Sequence, residues 1–313
     1  MQITGTFIDE ISHDIPHQNW GPKEWDVDFV HMKKMGIDTV VLIRCGYHQF
    51  LTYPSEYLIE KHGRFRPPID LVKLFLELSD KYGMTFYFGT YDSGKYWETG
   101  DMRQEIDLNL HIIEEVYKTY GHYKSFGGWY LSLELSRKTK GAVDSIAKLG
   151  DHCKAVSGGL PVLISPWIDG KKAIAATEGH LMRDTGISLK EHENEWDEIF
   201  DGIKDSIDIV AFQDGHVGYN DLEDYLRLNK TLADKYGLQS WTNSESFDRD
   251  MPIKFLPIKW EKLLFKLEAA KRAGSEKAIT FEFSHFMSPQ SGYLQAGHLY
   301  NRYMESALGP NPL

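Results

Sequence analysis

The chain has 313 residues, of which 42% are hydrophobic and 26% are charged, and its formal net charge is −11. The first two fractions lie near the averages of soluble globular proteins, which argues against a disordered, collagen-like or coiled-coil chain. The acidic balance argues against nucleic acid as a partner, because neutralising its phosphates requires clustered Lys and Arg.

Strand-like and helix-like segments alternate about eight times along the chain. This alternation predicts parallel strands joined by helices. Five helices end in Gly or a Gly pair just before a strand, which is the usual chemistry of a helix-to-strand connection. The predicted strands are 2–9, 38–46, 84–91, 126–135, 161–167, 208–214, 239–245 and 278–282. The predicted helices are 21–35, 68–82, 102–120, 140–156, 193–207, 221–236, 260–272 and 292–307.

The longer connections follow the first, second, third, fifth and seventh predicted strands, at 10–21, 47–67, 92–101, 168–192 and 246–258. A closed parallel barrel would place all of them at the C-terminal ends of its strands, where such barrels carry their chemistry. No internal repeat, low-complexity tract or linker marks a second domain. We therefore predict an α/β protein, a single (β/α)8 TIM barrel over residues 1–313 with extended loops on its C-terminal face.

Acidic residues stand at the ends of several predicted strands. Glu134, Glu245 and Glu282 lie at or near the ends of the fourth, seventh and eighth strands. In a barrel these ends meet at one rim. Cleavage of a glycosidic bond needs one carboxylic acid and one carboxylate, which retaining enzymes hold about 5–5.5 Å apart. Glu134 is the candidate general acid/base and Glu245 the candidate nucleophile, although either could be a structural ion-pair partner.

Two further acids compete for these roles. A Phe on each side of Glu282 indicates an inward-pointing acid, which is costly unless it is paired, hydrogen-bonded or protonated. Glu282 could bind a sugar hydroxyl or form a buried ion pair with Arg44. Asp214 precedes Gly215 at the end of the sixth strand, so this pair could equally be turn chemistry.

Polar and aromatic residues near the strand ends could bind a substrate. Polar side chains there could hydrogen-bond sugar hydroxyls, and flat rings could stack on the apolar faces of sugar rings. Any single ring could instead belong to the ordinary core. The candidate substrate-binding residues are Asp9, Arg44, Tyr47, Tyr91, Trp167, Gln213, Asp214, Asn243, Glu282 and His285.

The sequence offers little support for a metal or a cofactor. His13 and His17 are four residues apart, but Pro16 between them argues against a helix that presents both on one face. No HExxH or HxH motif occurs, and the Gly pairs at 127–128 and 158–159 fit neither a phosphate-binding loop nor a dinucleotide fingerprint. We expect no metal site and no cofactor.

Thiols and targeting signals bear on the compartment. Cys45 and Cys153 are too few for a disulfide framework, so we expect two reduced thiols in the core. No apolar run approaches the roughly 18 residues of a membrane span, and the N-terminus lacks the basic and apolar regions of a secretory signal. We expect a soluble cytoplasmic protein without a membrane partner, or a periplasmic or secreted one if a signal peptide has been removed. The oligomeric state is open.

Three strand-end segments together resemble a known family. They read Trp129-Tyr-Leu-Ser-Leu-Glu134, Phe212-Gln-Asp-Gly-His-Val-Gly218 and Trp241-Thr-Asn-Ser-Glu245, and the opening Gly5-Thr-Phe-Ile-Asp9 also fits. That family is a poorly characterised group of bacterial barrels that are regarded as glycoside-hydrolase-like, and the likeness covers nearly the whole chain. The resemblance implies a carbohydrate-active barrel.

More distantly, the chain looks like the clan of retaining glycosidases with the acid/base on strand four and the nucleophile on strand seven. This likeness implies those roles for Glu134 and Glu245. In that clan an Asn commonly precedes the strand-four Glu, whereas Leu133 stands there in this chain. The contact to a sugar 2-hydroxyl would then come from elsewhere, for example from Asn243.

We therefore predict a glycoside hydrolase that cleaves a glycosidic bond in an oligo- or polysaccharide with a pair of carboxylates and a retaining mechanism. Carbohydrate is the expected partner. The first alternative is a carbohydrate-binding barrel without catalysis, and the second is a metal-dependent hydrolase or isomerase.

Overall fold

The computed structural model of the chain describes residues 1–13, 15–95, 101–133, 141–170, 186–249 and 255–308. Eight parallel strands form a closed barrel, which confirms the predicted (β/α)8 fold. Numbered along the chain, they are β1 (Ile3–Ile8), β2 (Thr39–Leu42), β5 (Thr85–Gly89), β7 (Phe126–Tyr130), β8 (Val162–Ile164), β9 (Ile209–Gln213), β10 (Gln239–Asn243) and β13 (Lys277–Thr280). Each pairs with the next, and β13 pairs again with β1. That the whole chain is one domain stays a prediction.

Helices connect the barrel strands and cover the outside of the barrel. They are α1 (Pro22–Met35), α2 (Glu56–His62), α3 (Leu71–Tyr82), α4 (Arg103–Tyr120), α5 (Ala142–Ser157), α6 (Leu189–Ile203), α7 (Tyr219–Lys235), α8 (Trp260–Ala273), α9 (Phe283–Phe286) and α10 (Leu294–Leu308). In the part of the chain that the structure describes, no helix is both long enough and apolar enough to span a membrane.

Local chemistry sets the helix boundaries. At α3 the Asp70 side chain accepts a hydrogen bond from the backbone N–H of Lys73 at 2.9 Å, which satisfies a donor that the first turn leaves unpaired. The helix ends at Gly83, whose φ of +63° is left-handed and suits Gly. Between these ends, Val72 and Phe75 are fully buried against the barrel.

The barrel interior is filled by side chains from alternate positions of its strands, as expected for a packed (β/α)8 core. These inward-facing residues form one apolar cluster, separate from the layer between strands and helices. Its members are Phe7, Val41, Ile43, Tyr87, Tyr130, Leu163, Ile209, Ala211, Trp241 and Ile279. These side chains fill the interior of the barrel below its C-terminal rim.

Two small sheets lie in or at the edges of connections that the sequence predicted as irregular. The strands β3 (Gly46–Tyr47), β4 (Phe50–Leu51) and β6 (Tyr91–Asp92) form one sheet in the order β4-β3-β6. The strands β11 (Phe247–Asp248) and β12 (Leu256–Pro257) form an antiparallel pair. Strands of two residues are too short to show a hydrophobic period, which is why the sequence did not predict them.

One helix was predicted with both boundaries wrong. The sequence predicted a helix over 193–207, whereas α6 begins at Leu189 and ends at Ile203. Ser188 caps this helix, since its side chain accepts the N–H of Glu191 while Glu191 accepts the N–H of Ser188 at 2.8 Å. This Ser-x-x-Glu capping box is a sequence signal that the apolar spacing alone overlooked.

Candidate active site

A cavity of about 540 Å³ opens at the C-terminal rim of the barrel. Its size falls within the range of about 300–1,000 Å³ that small-molecule sites occupy. Its walls come from residues at or just beyond the ends of several strands. Among the residues predicted to form the site, those that line it are Asp9, Arg44, Tyr47, Trp167, Gln213, Asn243 and Glu245.

The other predicted site residues do not line this cavity. Asp214, Tyr91, Glu282 and His285 are buried beside or behind its lining. Glu134 lies outside the described residues, so its position relative to Glu245 stays a prediction.

Glu245 is held from several sides. It is 2% exposed, and its backbone N–H donates to Asp214 Oδ1 at 3.1 Å. Arg249 donates from Nε to Glu245 Oε2 at 2.8 Å and from Nη2 to Oε1 at 2.7 Å, a two-pronged contact that fixes the plane of the carboxylate. Burial alone would raise the pKa of Glu245, but Arg249 outweighs it, with Lys266 and His216 adding to the effect, and the pKa falls to about 2. Glu245 is therefore ionised at neutral pH.

Asp214 supports Glu245 through a buried ion pair. Lys266 on α8 donates from Nζ to Asp214 Oδ1 at 2.8 Å and to the backbone oxygen of Glu245 at 3.1 Å. Both charged side chains are almost fully buried, at 2% and 1% exposure. Burial raises the pKa of Asp214 although Lys266 pulls it down. Asp214 and Lys266 thus fix the backbone from which the Glu245 side chain projects.

Gly215 leaves room for the Glu245 carboxylate. A Cβ atom at residue 215 would lie 2.0 Å from Oε2 and 2.3 Å from Oε1 of Glu245. That overlap forbids any larger residue unless the carboxylate moves. In the segment Gln213-Asp-Gly, Gln213 therefore lines the cavity and Asp214 pairs with Lys266. Gly215 lets the Glu245 carboxylate lie against the backbone.

Replacing Gly215 by Ala is expected to push Glu245 out of the Arg249 contact. We expect the pKa of the Glu245 carboxyl to rise, because burial raises it and the Arg249 contact that lowers it would be weakened. We also expect the free energy of unfolding to fall by about 1–3 kcal/mol. Carboxyl-carbon NMR titration and urea unfolding measure the two effects. Gly292→Ala is the matched control, since a Cβ there meets nothing within 4 Å. Equal behaviour of the two variants would contradict the prediction.

Arg44 and Asp92 form a second ion pair at the cavity. Arg44 Nη1 donates to Asp92 Oδ2 at 2.9 Å, and Asp92 Oδ1 accepts the backbone N–H of Gly94 at 2.7 Å. The sequence had suggested Glu282 as a partner for Arg44 and had placed residue 92 at the start of an irregular connection. Arg44 pairs with Asp92 instead, because β6 pairs with β3 and carries Asp92 to a place where it is 1% exposed.

Glu282 forms its ion pair with His285 instead. It is fully buried and accepts the backbone N–H groups of Ser284 and His285, so it caps the short helix α9. His285 Nδ1 lies 2.7 Å from Glu282 Oε1, and His285 Nε2 lies 2.7 Å from the Pro16 carbonyl oxygen. Burial lowers the pKa of His285, but Glu282 outweighs burial and raises it to about 9. The protonated ring can therefore donate from both nitrogens, to Glu282 and to the loop after β1.

Two of the cavity-lining residues that the sequence predicted, Asp9 and Asn243, carry hydrogen-bond acceptors that other described residues do not use. Asp9 Oδ1 accepts the backbone N–H groups of Ile11 and Ser12, but Oδ2 has no donor in the described part of the chain. Asn243 donates from Nδ2 to Ser165 Oγ at 3.0 Å, and its Oδ1 likewise lacks a donor among the described residues. Such buried acceptors are costly unless something else donates to them.

Aromatic rings form much of the remaining wall. Tyr47 stacks on His13 with ring centroids 5.3 Å apart, and Trp167 meets His216 edge-on at 6.2 Å. Tyr91 is not part of the wall, since its hydroxyl donates to the backbone oxygen of His48 and accepts from Arg64. The cavity lining thus combines charged pairs with aromatic rings.

The sequence interpretation missed Arg249, Asp92 and Lys266. Arg249 and Asp92 lie in connections, where a charged residue is usually solvated. Lys266 had a detectable signal, because it occupies the buried phase of α8 between Leu263 and Ala270, at i+3 and i+4 spacing. A buried Lys is costly unless it is paired, so a Lys at such a position predicts a buried carboxylate partner.

The described residues contain no group of three or more His, Cys, Asp or Glu side chains arranged to hold a metal ion. The described cavity lining instead provides two ion pairs, Arg44 with Asp92 and Arg249 with Glu245, and the hydrogen-bond acceptors of Asp9 and Asn243.

Comparisons with known proteins point to one family and a common barrel. The family described as Domain of unknown function (DUF4434) matches residues 3–293. A crystal structure from Bacteroides thetaiotaomicron VPI-5482, named a "putative alpha-L-fucosidase", is 64% identical with a TM-score of 0.93, over 97% of this chain and 94% of that chain. No curated protein matches.

Two more distant structures share only the fold. A GH2 beta-galacturonidase from Eisenbergiella tayi is 14% identical with a TM-score of 0.57, over 97% of this chain and 51% of that chain. An endo-1,4-beta-D-mannanase from Thermotoga petrophila RKU-1 is 10% identical with a TM-score of 0.55, over 90% of this chain and 87% of that chain. The barrel is thus similar to those of glycoside hydrolases.

Proposed function

This chain belongs to the DUF4434 family, and we propose that it is a glycoside hydrolase that cleaves a glycosidic bond in an oligo- or polysaccharide. The observation that supports this most is Glu245, a buried carboxylate with a pKa of about 2 at the edge of the rim cavity. An ionised carboxylate at a cavity is what a nucleophile or general base requires. The fold alone would not support the proposal, because unrelated functions share it.

In the proposed retaining reaction, Glu245 attacks the anomeric carbon while Glu134, as the acid, protonates the leaving oxygen. The glycosidic C–O bond breaks, a covalent glycosyl-enzyme forms and the leaving group departs as an alcohol. Glu134, now ionised, takes a proton from water, whose oxygen attacks the anomeric carbon and releases Glu245. The role of Glu134 rests on its predicted place at the end of the fourth strand and on the sequence resemblance.

The residues that line the cavity are proposed to bind the sugar. Asp9 Oδ2 and Asn243 Oδ1 would accept hydrogen bonds from sugar hydroxyls, because no described residue donates to them. Tyr47 and Trp167 would contact the apolar faces of the sugar, and Gln213 and Arg44 its polar edge. Asp214, Tyr91, Glu282 and His285 would act by holding these residues in place.

An α-L-fucoside is the first substrate to test, because the Bacteroides relative that is 64% identical is named a "putative alpha-L-fucosidase". We expect release of 4-nitrophenol from 4-nitrophenyl α-L-fucoside, with the α-anomer of fucose as the first product by proton NMR, and no loss of rate with a chelator. A broad glycan panel with mass-spectrometric readout covers other sugars. Absence of cleavage across that panel would contradict the proposal.

A carbohydrate-binding barrel without turnover is the second candidate. The observation that favours it is the Arg249 contact, which occupies both carboxylate oxygens of Glu245. For catalysis one of these oxygens must face the anomeric carbon. Glycan binding by calorimetry, without cleavage of the same glycans, would support this candidate over the hydrolase.

A further inference from the structure

Two exposed aromatic side chains lie together on the loop after β2. Phe50 is 62% exposed and Phe65 is 56% exposed, and their rings meet edge to face with centroids 5.4 Å apart. A single exposed apolar side chain needs no explanation, but adjacent ones often mark a place where something binds. We call this pair the aromatic platform.

The small sheet β4-β3-β6 connects the aromatic platform to the cavity. Phe50 on β4 pairs with Tyr47 on β3, and Tyr47 pairs with Asp92 on β6. Directly paired residues of neighbouring strands project from the same face of a sheet, with Cβ atoms about 4.5–5.5 Å apart. One row of side chains therefore runs Asp92, Tyr47, Phe50. Since Asp92 and Tyr47 line the cavity, the platform continues its wall outward.

Hydrogen bonds hold the platform in place. The backbone N–H of Phe65 donates to the Gln49 carbonyl oxygen at 2.8 Å, which ties the second ring to the turn beside the first. Tyr91 donates from its hydroxyl to the backbone oxygen of His48, and Arg64 Nε donates to the same hydroxyl at 2.7 Å. A fixed pair of rings loses little conformational entropy when a ligand binds.

We propose that Phe50 and Phe65 form a subsite for a second sugar ring of the carbohydrate whose first ring occupies the cavity. The subsite rests on the proposed function, because its ligand is the remainder of the same substrate. The C–H face of a pyranose would lie on the rings, and the adjacent exposed Gln49 and His48 would meet its hydroxyls. Two half-exposed rings offer roughly 250 Å², well short of the about 800 Å² per partner of a standard protein interface.

The test compares glycans of different length on an array of mono- to hexasaccharides. The proteins are the unaltered chain, the double variant Phe50→Ala/Phe65→Ala, and the control Phe265→Ala, which removes an exposed Phe from α8. We expect the double variant to bind glycans of two or more residues about tenfold more weakly, the change for about 50 Å² of apolar area that is no longer buried. Monosaccharide binding and the control should be unchanged.

Equal weakening of monosaccharides and longer glycans, no weakening of either, or no binding of any glycan longer than one residue would overturn the subsite. Circular dichroism checks that the double variant folds, and the single variant Phe50→Tyr, which keeps a ring beside Phe65, should bind longer glycans like the unaltered chain. The array measures binding and a separate assay measures cleavage, so failure of the subsite can be told from failure of the hydrolase. Length-dependent binding without cleavage would overturn the hydrolase and leave the subsite standing. Cleavage by the double variant with the same preference for longer glycans as the unaltered chain would overturn the subsite and leave the hydrolase standing.

Discussion

Glu245→Gln is expected to lower kcat by about 10³-fold or more on any glycoside that the protein cleaves. Gln has the same size and can still accept a hydrogen bond from Arg249, but an amide cannot attack the anomeric carbon as an ionised carboxylate does. Initial rates give kcat and KM. Glu261→Gln is the control, because Glu261 is an exposed acid on α8 with 65% of its side chain accessible.

The outcome for KM separates this role from simple binding. A variant that keeps kcat and raises only KM has lost binding common to the ground state and the transition state. That result, or a kcat within about tenfold of the unaltered protein, would remove Glu245 from the chemistry. A correctly folded Glu245→Gln protein should still bind the glycans that the unaltered protein binds.

Azide can distinguish a nucleophile from a general base. In Glu245→Gly the vacated space admits azide, which can attack the anomeric carbon directly, forming a C–N bond as the glycosidic C–O bond breaks. One displacement inverts the anomeric centre, so the product would be a glycosyl azide of inverted configuration. Rescue that yields the free sugar instead would assign the role of base to Glu245.

The barrel was predictable because its signals are repeated and local. Most barrel strands are short and rich in apolar residues, and helices such as α1 and α3 end in left-handed Gly residues, Gly36 and Gly83, just before the next strand. Closure follows from the alternation, since parallel strands joined by helices bury both faces of a sheet. No single residue had to be interpreted correctly for this result.

The site was less predictable, because its contacts depend on loop conformation. Glu282 was expected to be a buried acid, and it is, but the sequence could not show that it caps α9 and pairs with His285. Arg249 meets Glu245 only because the chain after β10 turns back over four residues. Asp92 is buried only because β3 and β6 pair. Each of these contacts joins side chains whose separation no periodic pattern fixes.

Lys266→Met is expected to lower the free energy of unfolding by about 3–5 kcal/mol, the usual cost of leaving one partner of a buried ion pair alone. With its cationic partner gone, Asp214 at 1% exposure would have to bear an unpaired charge or take up a proton, because burial would raise the pKa of its carboxyl further, and the backbone oxygen of Glu245 would lose a donor. Met fills a similar volume, so the loss would reflect charge rather than a cavity. Urea unfolding measures it, with Lys271→Met, an exposed position on the same helix, as the control.

A second substitution shows whether the isolated charge is the cause. In the double variant Asp214→Asn/Lys266→Met the buried carboxylate is gone, so most of the lost stability should return, although the amide still pairs less well than the original ion pair. If Lys266→Met is as stable as Lys271→Met, the ion pair contributes nothing to the fold. If the double variant is no more stable than Lys266→Met, the loss comes from packing of the Lys266 side chain and not from an unpaired Asp214 carboxylate.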